Sequence, residues 1–253
     1  MRIAVITGAS SGIGREFVRA IDAAGLDEIW LIARRKERLE AIAKQTKTHA
    51  RPISLDLTTR DNLDRYQKRL QEARPEVAVL INSSGYGVFG GFQDKPLDKQ
   101  LGIIDLNDRA LTAITYLTLP FMKKGGEIYN LASTASFQPL PYGAVYAASK
   151  AFAFSFTRAL NMELKPQGIH AIAVCPHWCK TDFFATAITG TTVVHFDFFN
   201  RTEDVVAGAI RAMKKGKDIS LCGARVKFRA LLIKLLPQQW VMKIYCRMQK
   251  KPY

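Results

Sequence analysis

Tyr146 and Lys150 stand four apart in Tyr146-Ala147-Ala148-Ser149-Lys150, inside a run from Tyr142 to Leu164 whose composition predicts a long helix. Residues four apart share one helix face. A free tyrosine, with a pKa of about 10, is a poor acid–base catalyst at neutral pH. A neighbouring ammonium favours the phenolate and brings that pKa down. The pair is therefore a candidate for moving a proton on and off an oxygen atom. The same spacing also describes an ordinary surface pair on a helix, so the reading depends on what else the chain supplies.

A second group reads as an anion cradle. Thr7-Gly8-Ala9-Ser10-Ser11-Gly12-Ile13-Gly14 follows the apolar run Ile3 to Ile6 and precedes an amphipathic segment. Glycines fit here because a tight turn, close approach to a pyrophosphate and close helix packing each leave no room for a Cβ. Free backbone N–H groups at the helix start then face the anion. Glycine clusters are common in turns, and the position directly after the first strand is what gives this one weight. Gly8-Ala9-Ser10-Ser11-Gly12 also satisfies the G-x-S-x-G pattern of a hydrolase elbow. That elbow belongs on a later strand, and His49, His170, His177 and His195 are scattered away from any triad context, so an esterase is rejected.

Where a dinucleotide lies on such a turn, an acid about 20 residues beyond the glycines holds the adenine ribose hydroxyls. Here the second apolar run ends Leu31-Ile32-Ala33-Arg34-Arg35, without an acid. Glu28 lies at the opposite end of that run, roughly 16 Å away at about 3.3 Å per residue. Guanidinium groups meet a 2′-phosphate through charge-assisted hydrogen bonds. Ala33, Arg34 and Arg35 therefore predict NADP(H) rather than NAD(H), against the plainer reading that the arginines only solvate the next helix start.

These residues need a scaffold that brings distant segments to one edge. Ile3 to Ile6, Ile29 to Ile32, Val77 to Ile81 and Ile169 to Val174 are near-continuous apolar runs, as strands covered on both faces require. Further strands are expected at Arg51 to Leu55, Glu127 to Leu131 and Ile219 to Cys222. Helical spacing marks Lys36 to Gln45, Thr59 to Arg74, Asn107 to Met122 and Tyr142 to Leu164. The alternation predicts an α/β, Rossmann-like, doubly wound parallel sheet of about seven strands with helices on both faces. The 253 residues, 48% hydrophobic, fit one large domain at 1–223 followed by a tail at 224–253.

In order along the chain, these motifs resemble the short-chain dehydrogenase/reductase family from Arg2 to about Gly223. Thr7 to Gly14 is similar to its glycine-rich turn, and Asn82-Ser83-Ser84-Gly85 to its N-N-A-G stretch, with serines in place of the second Asn and the Ala. Asn107 matches the helix asparagine, Ser133 the substrate-orienting serine thirteen residues before Tyr146, and Tyr146 with Lys150 the Y-x-x-x-K pair. The resemblance implies hydride transfer between a nicotinamide and a carbonyl or alcohol carbon. It gives Tyr146 the oxygen-bound proton, Ser133 the polarising of that oxygen, Lys150 the nicotinamide ribose, and Asn107 a water beyond Lys150. It places Thr7, Gly8, Ser10, Ser11, Gly12, Ile13 and Gly14 on the cofactor, with Arg34, Arg35, Asp56 and Leu57 at its adenosine end. Asn82, Ser83, Ser84, Gly85, Tyr146, Lys150, Pro176, Cys179 and Thr181 complete the cofactor set.

One departure is His177, where the family has glycine after Pro176. It is read either as a substrate-contacting imidazole or as a packed structural one. The aromatic stretch from Asp182 to about Asn200 resembles a substrate lid, with Phe183 and Phe184 as candidate substrate contacts. Cys175-Pro176-His177-Trp178-Cys179 offers C-x-H-x-C but no fourth ligand, so no metal is expected.

Net charge is +15, and after Asp218 eight basic residues follow with no acid. Among them run two apolar series at helical spacing, Phe228 to Leu236 and Val241 to Met248, separated by Pro237. Such a tail fits packing on its own domain, docking on a partner subunit, or peripheral contact with a membrane surface. A nucleic-acid reading lacks a recognition module. No signal-peptide pattern or span-length apolar run is present, so a cytoplasmic homodimer or homotetramer acting on a small carbonyl or alcohol is expected. The rival is an inactive NADP(H)-binding regulatory or scaffold protein of the same fold.

Overall fold

A computed structural model describes residues 1–187 and 194–252. Seven parallel strands, β1 (Arg2–Thr7), β2 (Glu28–Ala33), β3 (His49–Ser54), β4 (Glu76–Asn82), β5 (Glu127–Leu131), β6 (His170–Cys175) and β7 (Ile219–Leu221), form one sheet. Their spatial order is β3-β2-β1-β4-β5-β6-β7, the doubly wound arrangement expected. The chain leaves β1 toward one edge and returns through β4 toward the other, so the loops after β1 and β4 part and leave a crevice at the carboxyl ends.

The continuous apolar runs follow from burial on two sides. Alternate residues of β1 point oppositely: Ala4 and Ile6 meet Phe17 and Val18 of α1 (Gly12–Ile21) and Val205 and Ala209 of α8 (Thr202–Lys214). Ile3 and Val5 meet Tyr66 and Leu70 of α3 (Arg60–Ala73), Ile114 of α5 (Ala110–Thr118) and Leu160 of α6 (Ala144–Leu164). Helix α2 (Lys36–Ala43) covers the β3 edge through Leu39 and Ile42.

The helix expected from Asn107 begins ten residues earlier, as α4 (Leu97–Ile104), and passes through a π-turn at Asp105–Arg109 into α5. Two causes hid it. Leu97, Leu101 and Ile104 point to solvent while Gln100 and Ile103 point inward, and the π-turn adds a residue that breaks the 3.6-residue period. Beyond β6 the chain forms the short α7 (Phe183–Ala187), and part of the expected lid, residues 188–193, lies outside the described residues. The tail forms α9 (Ala224–Leu235) and α10 (Gln238–Met248), whose Tyr245 and Cys246 pack with Phe89, Leu140 and Tyr146.

At the edge of the sheet remote from the crevice, the buried Glu28 carboxylate accepts from Trp30 Nε1 at 2.7 Å and Arg51 Nε at 2.7 Å, with His49 Nε2 at 3.2 Å. Glu28→Ala strands a buried indole N–H and an arginine, and is expected to cost about 2–3 kcal/mol of stability. Urea denaturation checks it. Glu28→Gln, which keeps an acceptor, loses less.

Candidate active site

At the carboxyl edge the first turn is held by contacts that only glycine allows. Gly8 has φ +68°, and a Cβ there would come within 2.7 Å of the Ser83 carbonyl and the Ser84 nitrogen. Thr7 Oγ1 accepts from the backbone N–H groups of Ser83 and Ser84, each at 3.2 Å, tying the turn after β1 to the turn after β4. Gly12, with φ +53°, leaves 3.0 Å between a built Cβ and the Thr181 methyl. The result is an open cavity of about 870 Å³ that runs from Ser10 and Ser11 past Gly85 to Tyr146. This is at the upper end of the usual ligand-pocket range.

One end of the cavity is cationic. Arg35 donates through Nη2 to Ser10 Oγ and Ser11 Oγ, each at 2.9 Å, and through Nη1 to Asp182 Oδ2 at 2.7 Å. Arg38 pairs with the same Asp182 carboxylate, so two guanidinium groups converge on one anion there. These bonds hold Asp182 below the usual carboxylate range. Asp56 accepts from the Thr58 N–H and hydroxyl. Burial works to raise its carboxyl, but those hydrogen bonds and the Arg34 charge outweigh it and leave it lowered.

The other end holds the proton-bearing groups. Ser133 caps a short 3-10 turn, Thr134–Phe137, accepting from the Ala135 N–H at 3.1 Å. Tyr146 enters from the first turn of α6 and is buried between Phe89, centroids 5.5 Å apart, and Phe183 at 5.4 Å. Gly87 makes its room, since a Cβ there would meet the Tyr146 ring at 2.7 Å. Lys150 is buried, its Nζ donating to the Leu131 carbonyl at 2.8 Å and lying 5.9 Å from the Tyr146 ring centre. Burial lowers the Lys150 ammonium to about 8, with Asp108 pulling the other way.

The expectation that Lys150 lowers Tyr146 is corrected here. Burial pushes the phenol up to about 12, and only hydrogen bonding with Ser133 acts downward. The ammonium is turned to a backbone carbonyl instead, and desolvation of the phenolate dominates.

Of the cofactor residues expected, Gly8, Ser10, Ser11, Gly12, Ile13, Arg34, Arg35, Asp56, Leu57, Ser83, Ser84, Gly85, Tyr146, Lys150, Pro176, Cys179 and Thr181 line the cavity, as do Ser133, His177, Phe183 and Phe184. Thr7, Gly14, Asn82 and Asn107 stand behind it. Asn82 donates to Thr115 Oγ1 at 3.0 Å and Asn130 Oδ1 at 2.9 Å, bracing β4 against its neighbours. Asn107 donates to the Tyr86 carbonyl at 3.0 Å and Ser149 Oγ at 2.9 Å, and accepts from the Tyr86 N–H at 3.0 Å. Both its amide N–H groups are thus spent on the Gly85–Tyr86 loop and α6, so its side chain positions rather than reacts.

His177 is accommodated without a left-handed backbone. Its Nδ1 meets Thr134 Oγ1 at 3.1 Å, its Nε2 meets Asp197 Oδ1 at 2.7 Å, and its ring stacks on Phe198 at 4.3 Å. Asp197 is also bonded by Arg229 of α9 at 2.7 Å. Burial pushes the imidazole below its ordinary value despite Asp197. The Cys175 and Cys179 thiols are pushed up to about 12 by burial, and among the described residues no three His, Cys, Asp or Glu gather as a metal group.

Sequence reasoning missed Arg38, Asp182 and Asp108. Asp108 follows Asn107 in the π-turn, its Oδ1 buried without a hydrogen-bond partner, and burial lifts its carboxyl to about 6 while the Lys150 charge lowers it. A charged residue in a buried helix turn is the signal that was available. Arg38 and Asp182 lie too far apart in sequence for spacing to link them.

The family described as short chain dehydrogenase matches residues 2–191. An uncharacterised oxidoreductase of Staphylococcus epidermidis is 33% identical over 182 residues, covering 71% of this chain and 79% of that protein. A very-long-chain 3-oxoacyl-CoA reductase of Anas platyrhynchos is 34% identical, covering 70% of this chain and 60% of its own. Among solved structures, a short-chain dehydrogenase from Sphingobium yanoikuyae in complex with NADPH superposes with TM-score 0.79 at 27% identity, covering 96% of this chain and 95% of that one.

Proposed function

This chain belongs to the short-chain dehydrogenase/reductase family, and from that premise we propose that it is an NADP(H)-dependent oxidoreductase that reduces a carbonyl substrate, with Tyr146 as its general acid. The single observation that carries the reading is the convergence of Ser133, Tyr146 and Lys150 on one cavity that also receives the glycine turn. A scaffold or regulatory protein has no physical need for all three.

The residues present fit a nicotinamide dinucleotide. The turn keeps its backbone open because Gly8 and Gly12 lack a Cβ, and Arg34, Arg35 and Arg38 line the same cavity as cations that would hold a 2′-phosphate. A bound nicotinamide would supply the hydride for the carbonyl carbon. Everything else falls to the protein. Ser133 offers a hydroxyl to the carbonyl oxygen, and Tyr146 gives its proton to that oxygen as charge builds there. Burial keeps the phenol protonated, the form that can give a proton to that oxygen. Lys150 holds positive charge beside the site, fixed by Leu131 and favoured by the Asp108 charge. Asn107 anchors the Gly85–Tyr86 loop against α6, which keeps Lys150 in register.

Trp178, Phe183 and Phe184 give the substrate end an apolar wall backed by Phe89, so the substrate is an apolar ketone or aldehyde, with His177 shaping the wall while both its nitrogens are engaged. Exposed Leu97, Leu101, Tyr116, Phe152 and Met162 on α4, α5 and α6 support a homodimer or homotetramer. No described helix is long and apolar enough to cross a membrane. The enzyme is read as cytoplasmic.

Tyr146→Phe is expected to lower kcat at least about a thousandfold while NADPH affinity, followed by cofactor fluorescence, stays within about twofold. Retained turnover would return the chain to the scaffold reading. Arg35→Ala removes the fork that touches Ser10 and Ser11, and should weaken NADPH binding about tenfold or more while leaving NADH nearly unchanged. In the pH profile, kcat/KM for reduction should fall as pH rises through about 8, where Lys150 loses its charge. Asp108→Asn removes the anion that raises Lys150, so this alkaline limb should move to lower pH; an unmoved limb overturns the role given to Asp108.

A further inference from the structure

Beyond the part of the chain matched by the family, which ends at residue 191, α9 and α10 each present two apolar faces. In α9, Val226, Ala230 and Ile233 turn inward and wall the cavity. On the opposite side, Phe228, Leu231, Leu232 and Leu235 form a stripe at i, i+3, i+4 and i+7, with Leu235 72% exposed. Helix α10 also exposes apolar side chains, Trp240 at 60%, then Ile244 and Met248. On and just after these two helices Lys227, Lys234, Lys243 and Lys250 are exposed, and no acid follows Asp218 in the sequence.

We infer that this outward face docks on an anionic lipid bilayer. The chemistry selects among occupants. A second copy would pair the face with itself about a two-fold axis and set one all-cationic rim against another. Nucleic acid would satisfy the lysines and leave leucines, a phenylalanine and a tryptophan against phosphate. A bilayer with anionic headgroups takes both: the apolar stripe enters the acyl boundary, the lysines meet phosphate, and the indole sits at headgroup level. Two helices about 18 and 17 Å long lie along the surface rather than span it. The cavity is then only about one helix diameter, roughly 10 Å, from the lipid. A further consequence, which rests on the reductase reading, is that the substrate is a membrane-partitioned apolar carbonyl compound.

The test is co-sedimentation of the full chain with mixed phosphatidylglycerol–phosphatidylcholine vesicles and with pure phosphatidylcholine vesicles, with Trp240 emission followed in parallel. Binding to the mixed vesicles at least about tenfold tighter than to the neutral ones is expected, with a blue shift. Leu231→Ser/Leu235→Ser/Trp240→Ser changes only exposed side chains and should lose about tenfold or more in vesicle binding while NADPH affinity and Tm hold. Lys227→Glu/Lys234→Glu/Lys243→Glu should erase the preference for phosphatidylglycerol. Should the wild type stay in the supernatant, both variants bind like it, or the serine variant instead dissociate an oligomer in size-exclusion, the docking surface is not a lipid face. Turnover separates the two readings: the serine variant should slow reduction of a vesicle-borne long-chain ketone and not of a water-soluble aldehyde. Turnover of neither by the wild type sinks the reductase and leaves the docking result standing.

Discussion

A buried ammonium must find oxygen, and the arrangement around Lys150 follows from that demand. Its Nζ is turned to the Leu131 carbonyl at the carboxyl end of β5, and the Asp108 charge favours the ammonium against burial. The β5 carbonyl is available because the strand ends there, at the crevice the sheet topology opens. The carboxyl is available because the π-turn at Asp105–Arg109 rotates the helix, directing Asn107 to the Gly85–Tyr86 loop and burying Asp108 Oδ1. An ordinary α-helix through those residues would not give the same pair of directions. The π-turn is thus part of the electrostatics of the site, not an irregularity beside it. The cost falls on Asp108, whose carboxyl burial lifts to about 6 against the pull of the Lys150 charge.

The same edge shows why the sheet was legible in the sequence. A strand buried on both faces cannot alternate, so Ile3 to Ile6 and Ile169 to Val174 announced both their structure and their central place. Gly8 was legible because no other residue permits the approach of Ser83 to that turn, and Tyr146 with Lys150 because four residues is a helix-face spacing. What stayed hidden was of two kinds. Helix α4 buries Gln100 and exposes Leu97 and Leu101, so its pattern is inverted relative to what hydropathy expects. The Arg35–Asp182–Arg38 cluster joins positions nearly 150 residues apart, and no local spacing encodes that. The direction of the Tyr146 shift was likewise out of reach, because burial and the aim of Lys150 are tertiary properties.

His177 brings these threads together. At the position where the family carries glycine, its two nitrogens join Thr134, next to the Ser133 cap, to Asp197, and Asp197 joins Arg229 on α9. The serine turn, the segment after β6 and the tail are therefore one hydrogen-bonded unit. Stacking of Phe198 on His177, with the Arg225 guanidinium 4.4 Å from the Phe198 ring centre, adds a second tie between the same segments. With a hydrogen-bond partner on each ring nitrogen, the imidazole acts as a fixed strut between these segments. A glycine at 177 would have left the tail helix joined to the active-site turn by apolar contact alone. With histidine there, the inner face of α9 is held at a defined distance from Ser133, and its opposite face is presented outward as a rigid surface.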